Sequence, residues 1–223
     1  MKSKENLQDK KRKNENKGNE ASVWDRVAGI YDIFVYIINA KTHKALRNHI
    51  ENLFEPSDIV LECACGTGML TKSIAPKCQK LIATDFSKNM IQTAKSNCRN
   101  HKNISFAVAD INNLEFSDAT FNKVVAANVI HLLEDPYKVL DELDRVCKPK
   151  GKIIITTYIV KQEKRRKNVF LEAISKGTKY FKQEFSFSSY KQFFIDAGYC
   201  DVQCIDIDGF IPCSIAIMGK RGD

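Results

Sequence analysis

The sequence lacks any apolar stretch approaching the roughly 20 residues that a membrane-spanning helix needs. Its greasiest segment, Ile30 to Ala40, is short and carries Asp32 and Asn39, so no membrane span is expected. The N-terminus has no apolar core of a secretory signal, which places the protein in the cytoplasm and makes its eight cysteines reduced thiols. Cys63-x-Cys65 and the set Cys200, Cys204 and Cys213 lack the two-residue knuckle spacing of zinc sites, so no metal is expected. Missing too are the Gly-Lys-Ser/Thr ending of a phosphate loop and its lysine.

What is present is the composition of one globular domain: 223 residues, 43% apolar and 28% charged, which is ordinary usage. Residues 1–20 are rich in Lys, Asn, Glu and Gln, with Met1 and Leu7 as the sole aliphatics. Such a segment cannot bury enough surface to order itself, so a basic disordered tail is expected there and a single domain over 21–223. Val23, Trp24, Val27, Ile30 and Tyr31 recur at helical spacing, and a second amphipathic helix runs from Lys41 to Leu53, ending before Pro56. Together, residues 21–55 are expected to form a helical lid.

The most informative segment follows the apolar run Ile59-Val60-Leu61: Glu62-Cys63-Ala64-Cys65-Gly66-Thr67-Gly68. The run reads as a buried parallel strand and Met69 to Ala75 as the opening of a helix, so the glycines fall at a turn where backbone can approach a ligand closely. A dinucleotide loop would want a third glycine where Met69 stands, so that its helix can pack on the strand. The carboxylate of Glu62, on the same turn, repels phosphate and attracts a ligand carrying an ammonium and a sulfonium. The loop is therefore suited to S-adenosylmethionine.

Here the chain resembles the class I S-adenosylmethionine-dependent methyltransferases, in the small-molecule branch similar to the ubiquinone/menaquinone-biosynthesis enzymes. The likeness covers residues 21–223. Val60 to Gly68 is similar to the first family motif, with Glu62 for the usual Asp and Ala64 for the usual first Gly. Leu81 to Ser87, Phe106 to Ile111, Val124 to Leu133 and Cys147 to Lys152 are similar to the later motifs, in order and at family spacing. The implied architecture is a Rossmann-like, doubly wound, seven-stranded α/β sheet with a C-terminal antiparallel hairpin.

Periodicity fits it. Strands are expected over Leu81–Thr84, Ile104–Ala109, Asn122–Asn128 and Ile153–Tyr158, with one helix capped by Ser87 and another opened by Pro136. Val202–Asp206 and Pro212–Met218 lie so close in sequence that they must pair antiparallel. Residues 159–187 form an insertion expected to cover the substrate. Its Phe170, Tyr180, Phe181, Phe185 and Phe187 suggest a partly apolar or aromatic acceptor, or else simply a packed lid.

The resemblance distributes the roles. Glu62, with Cys63, Ala64, Gly66 and Gly68 of the loop, would hold the methionine end of the cofactor, under Tyr31 of the lid. Asp85, ending the second strand, can accept two hydrogen bonds from ribose hydroxyls. Phe86 and Met90 would flank the adenine or belong to the core. Asp110 can accept the adenine amino proton beside the backbone N–H of Ile111, and Asn128 ends the fourth strand where the family contacts the cofactor. His131, just past that strand, is the candidate base, while His43, His49 and His101 read as surface residues.

A net charge of +8 raises nucleic-acid modification as an alternative. Seven cations lie before Glu20, and Lys161, Lys164, Arg165, Arg166 and Lys167 form one run. Runs of this kind are commonly solvated faces, and no Pro-Pro-aromatic element of the amino-methylating enzymes follows Ala127. A small-molecule methyl acceptor is the expected partner. An RNA methyltransferase and a noncatalytic cofactor-binding protein remain alternatives, and the sequence names neither the acceptor nor the oligomeric state.

Overall fold

The computed structural model describes residues 39–160 and 182–222. The tail, the first part of the lid with Tyr31, the basic run 161–167, and Phe170, Tyr180 and Phe181 lie outside the described residues. Within them the elements are α1 (Ala40–Glu51), β1 (Ile59–Cys63), α2 (Thr71–Ile74), β2 (Lys80–Asp85), α3 (Lys88–Asn97), β3 (Ile104–Val108), β4 (Phe121–Ala127), α4 (Pro136–Val146), β5 (Cys147–Tyr158), α5 (Phe187–Asp196), β6 (Gln203–Ile207) and β7 (Cys213–Gly219).

The seven strands form one sheet in the order β3-β2-β1-β4-β5-β7-β6. β1 pairs in parallel with both β2 and β4, whereas β7 runs antiparallel to β5 and to β6. The chain winds outward from β1 to β3 and then resumes on the other side at β4, so β1 and β4 bracket the switch point. A parallel sheet of this kind binds ligands outside the carboxyl ends of its strands at that point.

Alternation along the strands sorts the core onto two faces. Val60, Leu81, Val125, Ile154 and Ile215 pack with Leu46 and Ile50 of α1. Leu61, Val124, Ile153 and Ile155 point the other way, against Leu140 and Leu143 of α4 and Tyr190 and Phe194 of α5. β3 is an edge strand, and its side chains are correspondingly more exposed.

The sequence places the elements well and misjudges some details. Ser87 caps α3, its hydroxyl accepting from the Met90 N–H at 3.1 Å, and α4 opens at Pro136 behind the Asp135 cap. The helix expected from Met69 starts two residues later and gives way to a 3-10 turn over Ala75–Lys77, where Pro76 cannot donate to the ladder. The turn expected before the fifth strand is itself part of β5, with a register shift between Phe121 and Lys123 and a left-handed residue at Lys150.

One side chain departs from the sequence reading, and two others take its packing alternative. His43 is buried rather than on the surface. It shares the inward face of α1 with Leu46 and Ile50, at i, i+3 and i+7. Phe185 is buried in the core against Tyr190 and Phe193 at ring distances of 5.3 and 5.5 Å, and Phe187 packs on the same cluster. Packing accounts for their place.

Candidate functional site

The loop after β1 makes its turns through three left-handed residues at alternate positions: Ala64 (φ 54°), Gly66 (φ 54°) and Gly68 (φ 89°). The two glycines serve different ends. A β-carbon on Gly68 would stand 2.9 Å from the Cys98 sulfur and 3.4 Å from the Ala94 backbone, so this glycine lets the loop press onto α3. A β-carbon on Gly66 would meet nothing within 4 Å. The backbone there borders open space, as a close-approaching ligand requires.

Ala64 adopts the same conformation without glycine's freedom, at a cost of about 1–2 kcal/mol. Ala64→Gly should therefore stabilise the fold by up to about 1 kcal/mol once the extra entropy of glycine in the unfolded chain is subtracted. A thermal melt should show a rise of roughly 2–4 °C for a chain of this size. An unchanged or lower melting temperature would mean that the strain is relieved elsewhere.

Contacts distant in sequence hold the loop. The Asn97 side chain donates to the Thr67 carbonyl at 2.9 Å, and the Cys65 N–H donates to the Thr84 carbonyl at 2.9 Å. Asp85 does more than end β2. Its Oδ2 accepts from the Gly66 N–H at 2.8 Å, and its Oδ1 accepts from the Ser87 N–H at 2.9 Å. A carboxylate offers about four lone-pair sites, so it can accept from several donors at once.

Glu62 lies beneath this loop with no exposed surface. Its Oε2 accepts from the Thr71 hydroxyl at 2.7 Å, while its Oε1 is buried without a hydrogen-bond partner. Burial lifts its carboxyl to about 8; the Thr71 bond opposes this and the nearby Asp85 charge adds to it. A buried acceptor left unmatched costs about 1–3 kcal/mol and marks a place where a donor belongs. A cationic ligand group suits it. Cys63, beside Glu62, is fully buried, and burial pushes its thiol up to about 12, so it serves as packing.

The remaining sequence-predicted residues rim the same strand ends. Phe86 is 37% exposed and Met90 only 3%, which separates a rim aromatic from a core methionine. Asp110 follows β3, its Oδ1 accepting from both the backbone and the side-chain nitrogen of Asn112, with half-buried Ile111 between them. Asn128 is left-handed (φ 50°) at the end of β4 and is tied to β5: its N–H donates to the Thr156 carbonyl at 3.0 Å, and its Oδ1 accepts from the Thr156 hydroxyl at 3.2 Å.

His131 lies on the 3-10 turn Ile130–Leu132, buried, with Nδ1 2.9 Å from the Thr157 hydroxyl oxygen. Burial lowers its imidazole to about 4. At neutral pH it is an uncharged hydrogen-bonding group and a weaker base than a free histidine. Sequence reasoning missed Thr71, Asn97, Thr156 and Thr157, whose short polar side chains hold the named residues across the fold and carry no local signature. Among the described residues no helix is long and apolar enough to cross a membrane.

Comparison with known proteins bears on this geometry directly. Residues 61–155, from β1 through most of β5, match the model of the methyltransferase domain family. This segment is a methyltransferase domain. The ubiquinone/menaquinone biosynthesis C-methyltransferase UbiE of Hydrogenovibrio crunogenus is 28% identical to it and its flanks over 144 residues, covering 61% of this chain and 57% of that protein. The demethylmenaquinone methyltransferase of Corynebacterium urealyticum is 31% identical over 140 residues, covering 62% of this chain and 59% of that one. The chain thus spans less than three fifths of the length of these curated relatives.

Solved structures extend the likeness around the methyltransferase domain. A methyltransferase in complex with the Haloferax volcanii Trm112 activator superposes with a TM-score of 0.71 at 20% identity, over 89% of this chain and 97% of that one. The Haemonchus contortus phosphoethanolamine N-methyltransferase 2 with S-adenosylmethionine gives 0.69 at 16% identity, over 88% and 57%. The sheet order and the antiparallel β5-β7-β6 edge are those of the class I methyltransferase fold, as the sequence led one to expect.

Proposed function

We propose that this chain transfers the methyl group of S-adenosylmethionine to a small-molecule acceptor. The observation that carries the proposal is the buried, unpartnered Oε1 of Glu62 beneath the open space at Gly66, with Asp85 on the far side of the same loop. These residues fit the cofactor's groups in kind. Glu62 would hold its ammonium, Asp85 its ribose hydroxyls, and Asp110 with the Ile111 N–H its adenine, under the rim of Phe86 and beside Asn128. Met90 supports that rim from the core. Tyr31, in the proposed lid, would close over the methionine end.

S-adenosylmethionine supplies a methyl group already activated on a sulfonium; on transfer the electron pair of the broken S–C bond stays on sulfur, and an electron pair of the acceptor, on O, N or S or at a nucleophilic carbon, forms the new bond. The protein's task is to align the acceptor and exclude water, and orientation alone can supply several kcal/mol. Only an acceptor that must lose a proton needs a base. His131 would be that base, and its low basicity suits an acceptor acidic enough to release its proton as the methyl arrives.

The relatives that act on quinone precursors make a hydroxylated ring the first acceptor to try. We place the enzyme in the cytoplasm, a reading supported by eight cysteines that form no disulfide with one another. Calorimetry should show binding of S-adenosylmethionine and S-adenosylhomocysteine and none of NAD, because Met69 stands where a dinucleotide loop needs its third glycine. Incubation with methyl-labelled cofactor and a fractionated cell extract should then carry label into small molecules. NAD binding without S-adenosylmethionine binding would overturn the reading, and label entering RNA would move the activity to that substrate.

A further inference from the structure

At the carboxyl ends of β4 and β5, beside the switch point, three rings come together from separate parts of the chain. Tyr158 closes β5 and is half-buried. The buried imidazole of His43 reaches it from α1, with Nε2 3.4 Å from the Tyr158 hydroxyl and the rings edge-on at 6.0 Å. His131 stands 6.1 Å from it between ring centres, with the rings tilted. Asn128, Thr156 and Thr157 complete the group, and none of these side chains carries a charge at neutral pH.

His43 is costly where it stands. Only about 1% of it is exposed, and its Nδ1 is buried without a hydrogen-bond partner. Burial, aided by the Arg47 charge, lowers the imidazole to about 4, so it brings no cation to the site. An aromatic hydrocarbon would fill the same space without an unmatched nitrogen. What the imidazole adds is its other nitrogen, against Tyr158. A buried N–H without an acceptor is rarer than a buried lone pair without a donor. That favours the tautomer with the proton on Nε2, donating to the Tyr158 oxygen, which turns the phenolic O–H away from α1.

We propose that Tyr158 contacts the methyl acceptor through its hydroxyl, that His43 is the positioning residue that aims it, and that the acceptor held there is a neutral molecule bearing a hydroxyl. The proposal rests on the methyl-transfer reading above and adds the acceptor's half of the site. The inward turn of α1 and the last residue of β5 thus meet for a chemical reason besides packing.

The test is equilibrium dialysis of 1,4-naphthoquinol, under argon, against the full chain loaded with S-adenosylhomocysteine. Wild type should bind it saturably, and Tyr158→Phe and His43→Phe should weaken it at least tenfold. His43→Gln, whose amide can still donate to the Tyr158 oxygen, should stay within threefold of wild type. All variants should hold S-adenosylhomocysteine within twofold of wild type, a pattern that a merely structural role would not give. Equal naphthoquinol affinity in Tyr158→Phe, no saturable binding to wild type, or His43→Gln as weak as His43→Phe would each overturn the proposal. Tyr158→Phe and His43→Gln decide it even if His43→Phe does not fold. Failure of wild type to bind S-adenosylhomocysteine would instead count against the methyl-transfer reading, and dialysis against the unloaded protein would still test the Tyr158 contact.

Discussion

Replacing Asp85 with Ala is expected to raise the dissociation constant for S-adenosylhomocysteine at least tenfold. Two hydrogen bonds from ribose hydroxyls to a carboxylate would be lost, and bonds to charged groups contribute about 1.5–3 kcal/mol each. The structure adds a second cause. The same carboxylate fixes the Gly66 N–H and the Ser87 N–H, so its loss also loosens the turn at which the ligand must approach. Asp85→Asn separates the two: one amide oxygen can still hold a backbone N–H, but the charge and the paired acceptor geometry are gone. Asn should therefore fall between wild type and Ala in affinity while melting close to wild type. Unchanged affinity in both variants would show that Asp85 only builds the loop.

The loop contacts of Asp85 bear on which parts of the candidate site the sequence could reveal. Glu62, the glycines and Asp85 were legible because each lies within a few residues of a strand end, where local rules of turns and strand termini apply. The Ser87 cap and Pro136 were legible for the same reason. What fixes the loop is not local. Thr71 reaches Glu62 across nine residues, Asn97 reaches Thr67 across 30, and Thr156 reaches Asn128 across 28. Small polar residues of this kind are equally at home on any surface, and only the folded chain selects these.

His43 makes the point from the other side. Its spacing with Leu46 and Ile50 marks the inward face of α1, yet a histidine among surface lysines reads as solvated. Periodicity was the better guide than residue type. Phe185 and Phe187 were open to two readings, ligand contact or packing, and they lie before and at the start of a helix whose Tyr190, Phe193 and Phe194 need partners. The core claimed them first.

Glu62 gives the second large expected effect, and it appears in pH. Its carboxyl titrates near 8 in the folded protein and near its ordinary 4.5 when unfolded. Between these values the folded state holds a proton that the unfolded state has released. The ligand-free protein should therefore lose stability as pH rises from about 4.5 through about 8. Glu62→Gln keeps a hydrogen-bonding side chain of the same size but cannot ionise, so it should abolish this contribution and leave the ligand-free protein more stable than wild type at pH 8. Binding should show the converse. An ammonium arriving beside Oε1 favours the ionised carboxylate, so S-adenosylhomocysteine should expel a proton at pH 7, seen as a buffer-dependent calorimetric enthalpy. Its affinity should rise with pH toward 8. Glu62→Gln should bind it at least tenfold more weakly and expel no proton through this group. A variant with wild-type affinity and wild-type proton release would show that Glu62 serves only to hold Thr71, and the ammonium would then need another partner.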